Sequence, residues 1–138
     1  MPAKDRYHDH VRNALIRDGW QITHDPYRLQ WGPKDLFIDL GAEHLLAAEL
    51  GNRKIAVEIK SFTNPSAVND LENALGQFIL YQDILEHIDP ERVLYLAIRR
   101  TVYLDIFTEP IGEVLLDNKR LRLIVFDPAN EVIEQWIS

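Results

Sequence analysis

Residues 92–98 read Arg-Val-Leu-Tyr-Leu-Ala-Ile and are nearly all apolar between their ends. A run of this kind predicts a β-strand that is covered on both faces, because a strand with one face in water alternates polar and apolar residues. Such a strand needs helices on both sides of its sheet. The sequence therefore predicts an α/β fold with a mixed central sheet flanked by helices.

The periodicity of the remaining chain predicts the element order αβββαβ with additions. Gly19 is placed to end the first helix, Ser66 to cap the second, and the Gly51-Asn52 pair to form a tight turn. The segments 36–40, 45–50 and 54–62 are expected to pair as a meander. Helices are predicted over residues 7–15, 66–87, 101–107 and 111–116, and strands over residues 20–25, 36–40, 45–50, 54–62, 92–98, 121–126 and 131–137.

The length and composition limit the class of protein. A chain of 138 residues has the size of one domain, so we expect a single domain over residues 1–138. The sequence has no cysteine, no apolar leader at its start and no apolar run long enough for a membrane span. These features predict a cytoplasmic protein that is not embedded in a membrane.

The charge balance restricts how the chain could hold nucleic acid. Fifteen basic and twenty-two acidic residues give a net charge of −7, which disfavours binding by phosphate neutralisation alone. A nuclease of this charge needs a bound metal, a local basic strip or a basic partner. The basic clusters are Arg99-Arg100 and Lys119-Arg120 with Arg122, which could line a DNA path or be solvated strand ends.

Glu58-Ile59-Lys60 is the candidate site for chemistry. Glu58 and Lys60 are two residues apart on a predicted strand, so both side chains leave the same face. Asp39 can converge on Glu58 if the strands pair as a meander, and the Ile59 carbonyl is a further oxygen donor. Two carboxylates and a carbonyl suit a divalent cation, with Lys60 beside it. The alternative is a salt-bridged patch on the sheet surface.

These residues resemble the signature of the PD-(D/E)XK nuclease superfamily, in which an acid precedes a (D/E)-x-K tripeptide. Gln77 and Tyr81 share a helix face and resemble the Gln-x-x-x-Tyr element of its RecB-like members. The resemblance implies a restriction-endonuclease-like core and catalysis by Asp39, Glu58, Lys60, Gln77 and Tyr81. It also implies Mg²⁺ or Mn²⁺ bound by Asp39, Glu58 and the main chain of Ile59.

Two features depart from that superfamily pattern. Ile38 stands where a proline often precedes the first acid. A first-helix acid, present in the resolvase-like members, has only Asp5 or Asp9 as candidates.

Segments along the whole chain carry a second resemblance: residues 1–5, 19–27, 35–43, 56–62, 75–81, 94–97 and 124–128, with Trp136 near the end. Together they closely resemble the XisH family, the cyanobacterial fdxN-element excision controlling factors. The resemblance implies an accessory role in site-specific excision of a DNA element, beside a recombinase and a small XisI-like partner. It does not imply a particular reaction.

Three functional hypotheses follow. The chain could be a Mg²⁺-dependent endodeoxyribonuclease, a catalytically silent regulatory module that acts with a XisI-like protein, or one half of a toxin–antitoxin-like pair. Its partners would be DNA and those proteins, and residues 131–137 could form an edge strand that pairs with a second copy.

Several other residues have two interpretations. Glu49 could add a third carboxylate near Asp39 or be a solvated strand end before a turn. His8 and His10 could suggest a metal site, but residues two apart on a helix point to different sides, and we expect both at the surface. Trp31 is the aromatic residue that we expect at a partner contact.

Overall fold

The computed structural model describes residues 5–29 and 45–138. In this part of the chain, six strands form one sheet in the order β1-β2-β3-β4-β5-β6. The helices are α1 (His8–Arg17), α2 (Ala67–Ile88), α3 (Arg100–Val102, continued by a π-helical turn, Tyr103–Phe107) and α4 (Pro110–Asp117). The strands are β1 (Gln21–Tyr27), β2 (Leu45–Leu50), β3 (Arg53–Ile59), β4 (Arg92–Arg99), β5 (Leu123–Asp127) and β6 (Val132–Ile137).

The sheet is mixed, as predicted. Strands β1, β2 and β3 are antiparallel neighbours, β3, β4 and β5 are parallel, and β6 returns antiparallel to β5. Helix α2 makes the crossover between the parallel strands β3 and β4. The α/β class is confirmed, and the restriction-endonuclease-like form of the core remains a prediction.

Hydrophobic residues pack on both faces of the sheet. On one face, Leu94, Leu96 and Ile98 of β4 pack with Phe78 and other residues of α2; we call this the α2-side core. On the other face, residues 95 and 97 pack with residues 11 and 15 of α1 in the α1-side core. The strand at 92–98 is therefore covered on both sides, as its sequence predicts.

Two helix ends have the predicted chemistry. The hydroxyl oxygen of Ser66 accepts a hydrogen bond from the Asn69 N–H at 3.2 Å and caps α2. Gly19 follows α1 with φ of +92°, a left-handed conformation that favours glycine because it has no Cβ. The Ser66 cap thus fixes the start of α2, and Gly19 marks the end of α1.

The predicted meander is confirmed in part, because residues 45–50 and 54–59 pair antiparallel as β2 and β3. The neighbour on the other side of β2 differs from the prediction. Strand β2 has β1 on one side and β3 on the other along its length. The place beside β2 that was expected for residues 36–40 is therefore taken by residues 21–27. Residues 36–40 lie outside the described residues, and so does Trp31.

Several boundaries also differ from the sequence prediction. Strand β1 continues through Pro26 at a register irregularity, which an outer strand of the described sheet tolerates because proline lacks an N–H. Strand β3 ends at Ile59 instead of Phe62. The helix predicted at 101–107 contains a π-helical turn, a form that periodicity does not distinguish from an α-helix.

His8 is buried, with 1% of its surface exposed, and so the expectation of a surface position is wrong. Its Nε2 lies 2.8 Å from the Asp25 carboxylate, which Arg12 also contacts at 3.0 Å. Asp25 lies on β1, and a partner so far away in sequence could not be predicted from the residues around His8. His10 remains partly exposed and contacts Glu131 at 3.0 Å.

Within the described ranges, no helix combines the length and the apolar character needed to cross a membrane.

Candidate functional site

An open cleft of about 510 Å³ lies where β3 ends and α2 begins. Such positions outside the carboxyl ends of parallel strands are common ligand sites in α/β proteins. The cleft is lined from three parts of the chain: Asp5 before α1; Lys60, Ser61, Phe62 and Thr63 after β3; and Asp70, Asn73 and Gln77 on α2.

Glu58 is buried at the end of β3, with 1% of its surface exposed. Its position alternates with Ile55, Val57 and Ile59, which all pack in the α1-side core. Glu58 therefore shares the opposite face with Ala56, which packs in the α2-side core. A buried carboxylate is costly unless other groups compensate its charge, and so Glu58 is an exceptional residue in this sheet.

Ile59 contributes differently from Glu58. Its side chain is 4% exposed and belongs to the α1-side core. Only its main-chain carbonyl can act as an oxygen donor, which is the role that the sequence predicts for it.

Lys60 is the first residue after β3 and lines the cleft. Its N–H donates to the Ala97 carbonyl at 3.2 Å, so the backbone is still held against β4 at this point. Two residues later, Phe62 has φ of +52°, a left-handed conformation that is rare for an aromatic residue. Such a conformation costs on the order of 1–3 kcal/mol and bends the chain along the cleft.

The two predicted residues of α2 are separated by the structure. Gln77 is half-buried and lines the cleft with Lys60. Tyr81, four residues later, is 3% exposed and packs in the α2-side core. The structure thus brings Gln77 to the cleft and places Tyr81 one helical turn deeper, among apolar side chains.

A hydrogen-bonded loop holds the cleft wall that leads into α2. The Asn64 side-chain oxygen accepts from the Ser66 N–H at 2.8 Å, and the Asp70 carboxylate accepts from the Asn64 N–H at 2.9 Å. Asp70 lies in the first turn of α2, where the helix dipole favours a carboxylate. In the structure it also closes the loop and lines the cleft.

Sequence reasoning missed two lining residues of α2, Asp70 and Asn73. Asp70, Asn73 and Gln77 recur at helical spacing, so one face of α2 carries three polar groups toward the cleft. Extending the Gln77 face toward the start of α2 would have identified the other two. Asp5 was one of two weak candidates for a first-helix acid; it lines the cleft, whereas Asp9 is exposed and is not part of the lining.

Glu49 does not join Glu58. It pairs in register with Lys54, four residues before Glu58 on β3, and its carboxylate lies 3.4 Å from Arg92. Glu49 is therefore separated from Glu58, and its partner is an arginine at the opposite end of the β3–β4 pair. Its predicted place near Asp39 stays a prediction, because Asp39, the other predicted carboxylate, lies outside the described residues.

The donors present suit a hard cation only in part. Glu58 and the Ile59 carbonyl are oxygen ligands of the kind that Mg²⁺ takes together with water and phosphate. Residues 5–29 and 45–138 contain no group of three or more side chains that could hold a metal ion by themselves. The predicted metal site therefore depends on Asp39.

The comparisons with known proteins place this architecture in a family. The family model described as XisH protein matches residues 1–134. An XisH family protein from Nostoc punctiforme PCC 73102 is 39% identical and superposes with a TM-score of 0.85 over 97% of this chain and 100% of that one. An fdxN element excision controlling factor protein from Anabaena variabilis is 39% identical, with a TM-score of 0.84 over 96% of this chain and 98% of the other. The comparison with curated proteins found no match. The chain belongs to the XisH family.

Proposed function

We propose that this protein is an accessory factor in the site-specific excision of a DNA element and that its cleft is a metal-dependent endonuclease-like site. The observation that carries the proposal is the cleft, which is lined by Lys60 and Gln77 and lies next to the end of β3, where Glu58 is located. The relative from Anabaena variabilis is described as an fdxN element excision controlling factor, which supports the biological setting.

The charges of the cleft support a requirement for a cation. Asp5 and Asp70 line it, Glu58 lies at the end of the adjoining strand, and Lys60 is the cation among its lining residues. A phosphodiester is repelled by such a surface, since like charges at 4 Å cost about 4 kcal/mol at an effective dielectric of 20. A divalent cation reverses that balance and activates the phosphate as a Lewis acid.

The residues have distinct roles in this proposal. Glu58, the Ile59 carbonyl and Asp39 hold Mg²⁺ or Mn²⁺. Lys60 lies in the cleft, where it stabilises negative charge that develops on the phosphate or orients the attacking water. Gln77 contacts the substrate or supports Lys60, and Tyr81 supports α2 from the core.

The partners follow from the family and not from the site. The proposal includes a site-specific recombinase and a small XisI-like protein as partners on the same DNA. A protein with a net charge of −7 gains from such partners, because they can supply DNA affinity that its own surface lacks.

Thermal unfolding with and without metal tests the site. Millimolar Mn²⁺ should raise the Tm of the wild-type protein, because a ligand that binds only the folded state stabilises it by about 2.7 kcal/mol at one hundred times its Kd. Glu58→Gln should abolish this rise. Glu49→Gln is the matched control, since Glu49 is also a strand glutamate but binds Arg92, and it should keep the full rise.

A cleavage assay tests the chemistry. Supercoiled, linear and branched DNA should be cut with Mn²⁺ by the wild type and left intact by Lys60→Ala. Metal binding without cutting would favour a regulatory module on the same scaffold. Cutting that persists in Glu58→Gln would indicate a contaminating nuclease and contradict the proposal.

A further inference from the structure

Arg99, the last residue of β4, is anchored beside the cleft. Its Nη2 donates to the carbonyl of Ser61 at 2.6 Å, and Ser61 lines the cleft. Its guanidinium also lies over the ring of Tyr7, 4.7 Å from the ring centroid. Two contacts therefore hold a half-buried guanidinium at the border of the cleft.

A second guanidinium lies against the same ring. Arg6 is exposed, and its guanidinium carbon lies 5.4 Å from the Tyr7 centroid. Tyr7 is held in turn by Asp5, whose carboxylate accepts the Tyr7 N–H at 2.9 Å and which lines the cleft. Tyr7 thus gathers two cationic groups from distant parts of the chain next to one cleft.

Neither guanidinium has an acidic partner in the part of the chain that the structure describes. Other basic residues there do: Arg12 contacts Asp25 at 3.0 Å, and Arg100 contacts Glu134 at 3.7 Å. In a chain with seven more acidic than basic residues, ion pairing is the expected state for an arginine. Two arginines that stack on one ring and have no carboxylate partner among residues 5–29 and 45–138 form a local positive site on an acidic protein.

We propose that Arg6 and Arg99, stacked on Tyr7, form a clasp for a backbone phosphate of DNA whose neighbouring phosphodiester lies in the cleft. The identity of the ligand rests on the proposed function, whereas the clasp itself rests on the stacking and on the lack of an acidic partner within the described ranges. Arg6 and Arg99 would then form the local basic strip that an acidic protein needs in order to bind DNA.

Arginine suits this role better than lysine. Its planar guanidinium stacks on an aromatic ring and still presents several N–H donors in the geometry of a phosphate. Arg99 donates one Nη2 N–H to the Ser61 carbonyl, which leaves other N–H groups of its guanidinium to bind a phosphate. Because stacking and the Ser61 contact hold the side chain in place, it loses little conformational freedom when a phosphate binds.

Fluorescence anisotropy with a labelled duplex of about 20 base pairs tests the clasp. The measurement uses Ca²⁺ in place of Mn²⁺ to suppress cutting, at several salt concentrations. Arg6→Met and Arg99→Met should each weaken binding about tenfold and lower the slope of log K against log salt by about one. Arg53→Met is the matched control, because Arg53 also stacks on aromatic rings, 5.1 Å from that of Trp20, but at the start of β3.

Separate readouts distinguish the clasp from the metal site. Arg6→Met and Arg99→Met should keep the rise in Tm with Mn²⁺, whereas Glu58→Gln should lose it. If Mn²⁺ does not raise the Tm of the wild type, that result would contradict the proposed metal site but not the clasp. A wild type that binds no duplex, or an Arg6→Met variant that binds as the wild type does, would overturn the clasp. Because Arg6 is exposed, that result does not depend on folding.

Discussion

Strand β4 begins with Arg92 and ends with Arg99, and the two arginines have opposite surroundings. Arg92 is 7% exposed and its guanidinium contacts Asp89 at 2.8 Å, the Ile55 carbonyl at 3.0 Å and Glu49 at 3.4 Å. Arg99 contacts one carbonyl and one aromatic ring and has no carboxylate partner in the described ranges.

The difference separates a structural charge from one that is available to a ligand. At the amino end of β4, each guanidinium nitrogen of Arg92 has a protein acceptor, and the charge is compensated within the fold. At the carboxyl end, Arg99 is fixed in position, and no carboxylate of the described residues neutralises it. A cation that is held in this way beside a cleft is suited to binding an anion.

Arg92→Met should show the largest effect on stability. The substitution leaves two carboxylates and a carbonyl without their donor, and breaking a buried pair in this way costs about 3–5 kcal/mol, reduced to roughly 2–4 here because the carboxylates are partly exposed. Arg99→Met should cost less than about 1 kcal/mol. Urea unfolding measures both, and equal losses would contradict the distinction between the two ends.

Glu49→Gln should have a smaller effect at the same end as Arg92. Its contact with Arg92 is 3.4 Å long and the Glu49 side chain is 35% exposed, so we expect a loss of about 0.5–1 kcal/mol. DNA affinity should not change, because Glu49 lies near the start of the β3–β4 pair and not at the cleft. A change of more than twofold in the DNA affinity measured by fluorescence anisotropy would contradict the distinction between the two ends of β4.

Tyr27→Phe should have the smallest effect, confined to alkaline pH. Burial raises the pKa of Tyr27 above its ordinary value; the nearby Arg92 opposes this and Asp89 adds to it. The folded protein therefore keeps the phenol proton longer than the unfolded chain, and the free energy of unfolding falls as pH rises past about 10. Urea midpoints from pH 8 to 11 should decline less steeply in the variant. An equally steep decline would show that other groups dominate.

Much of the fold could be predicted from local patterns. The all-apolar run of β4 predicted a strand covered on both faces, and the Ser66 cap and Gly19 marked helix ends that the structure confirms. The pairing of β2 was not predictable in the same way. Several segments have a strand pattern, and the pairing of residues 21–27 with β2 depends on long-range packing that periodicity does not contain.

The candidate site divides along the same line. The spacing of Glu58 and Lys60, and of Gln77 and Tyr81, was readable because residues on one strand or one helix have a fixed geometry. Only the tertiary structure placed Gln77 and Lys60 together at the cleft and Tyr81 in the core. It also added Asp5 to the lining of the cleft.

The sequence by itself determined the class of fold and the family resemblance and named candidate site residues, because these depend on composition and short-range order. The tertiary structure decided which charges are compensated. Arg92 and Arg99 look alike in sequence, each beside another charged residue. The packing of residues some forty positions away gives Arg92 a carboxylate from Glu49, whereas Arg99 receives a carbonyl from Ser61.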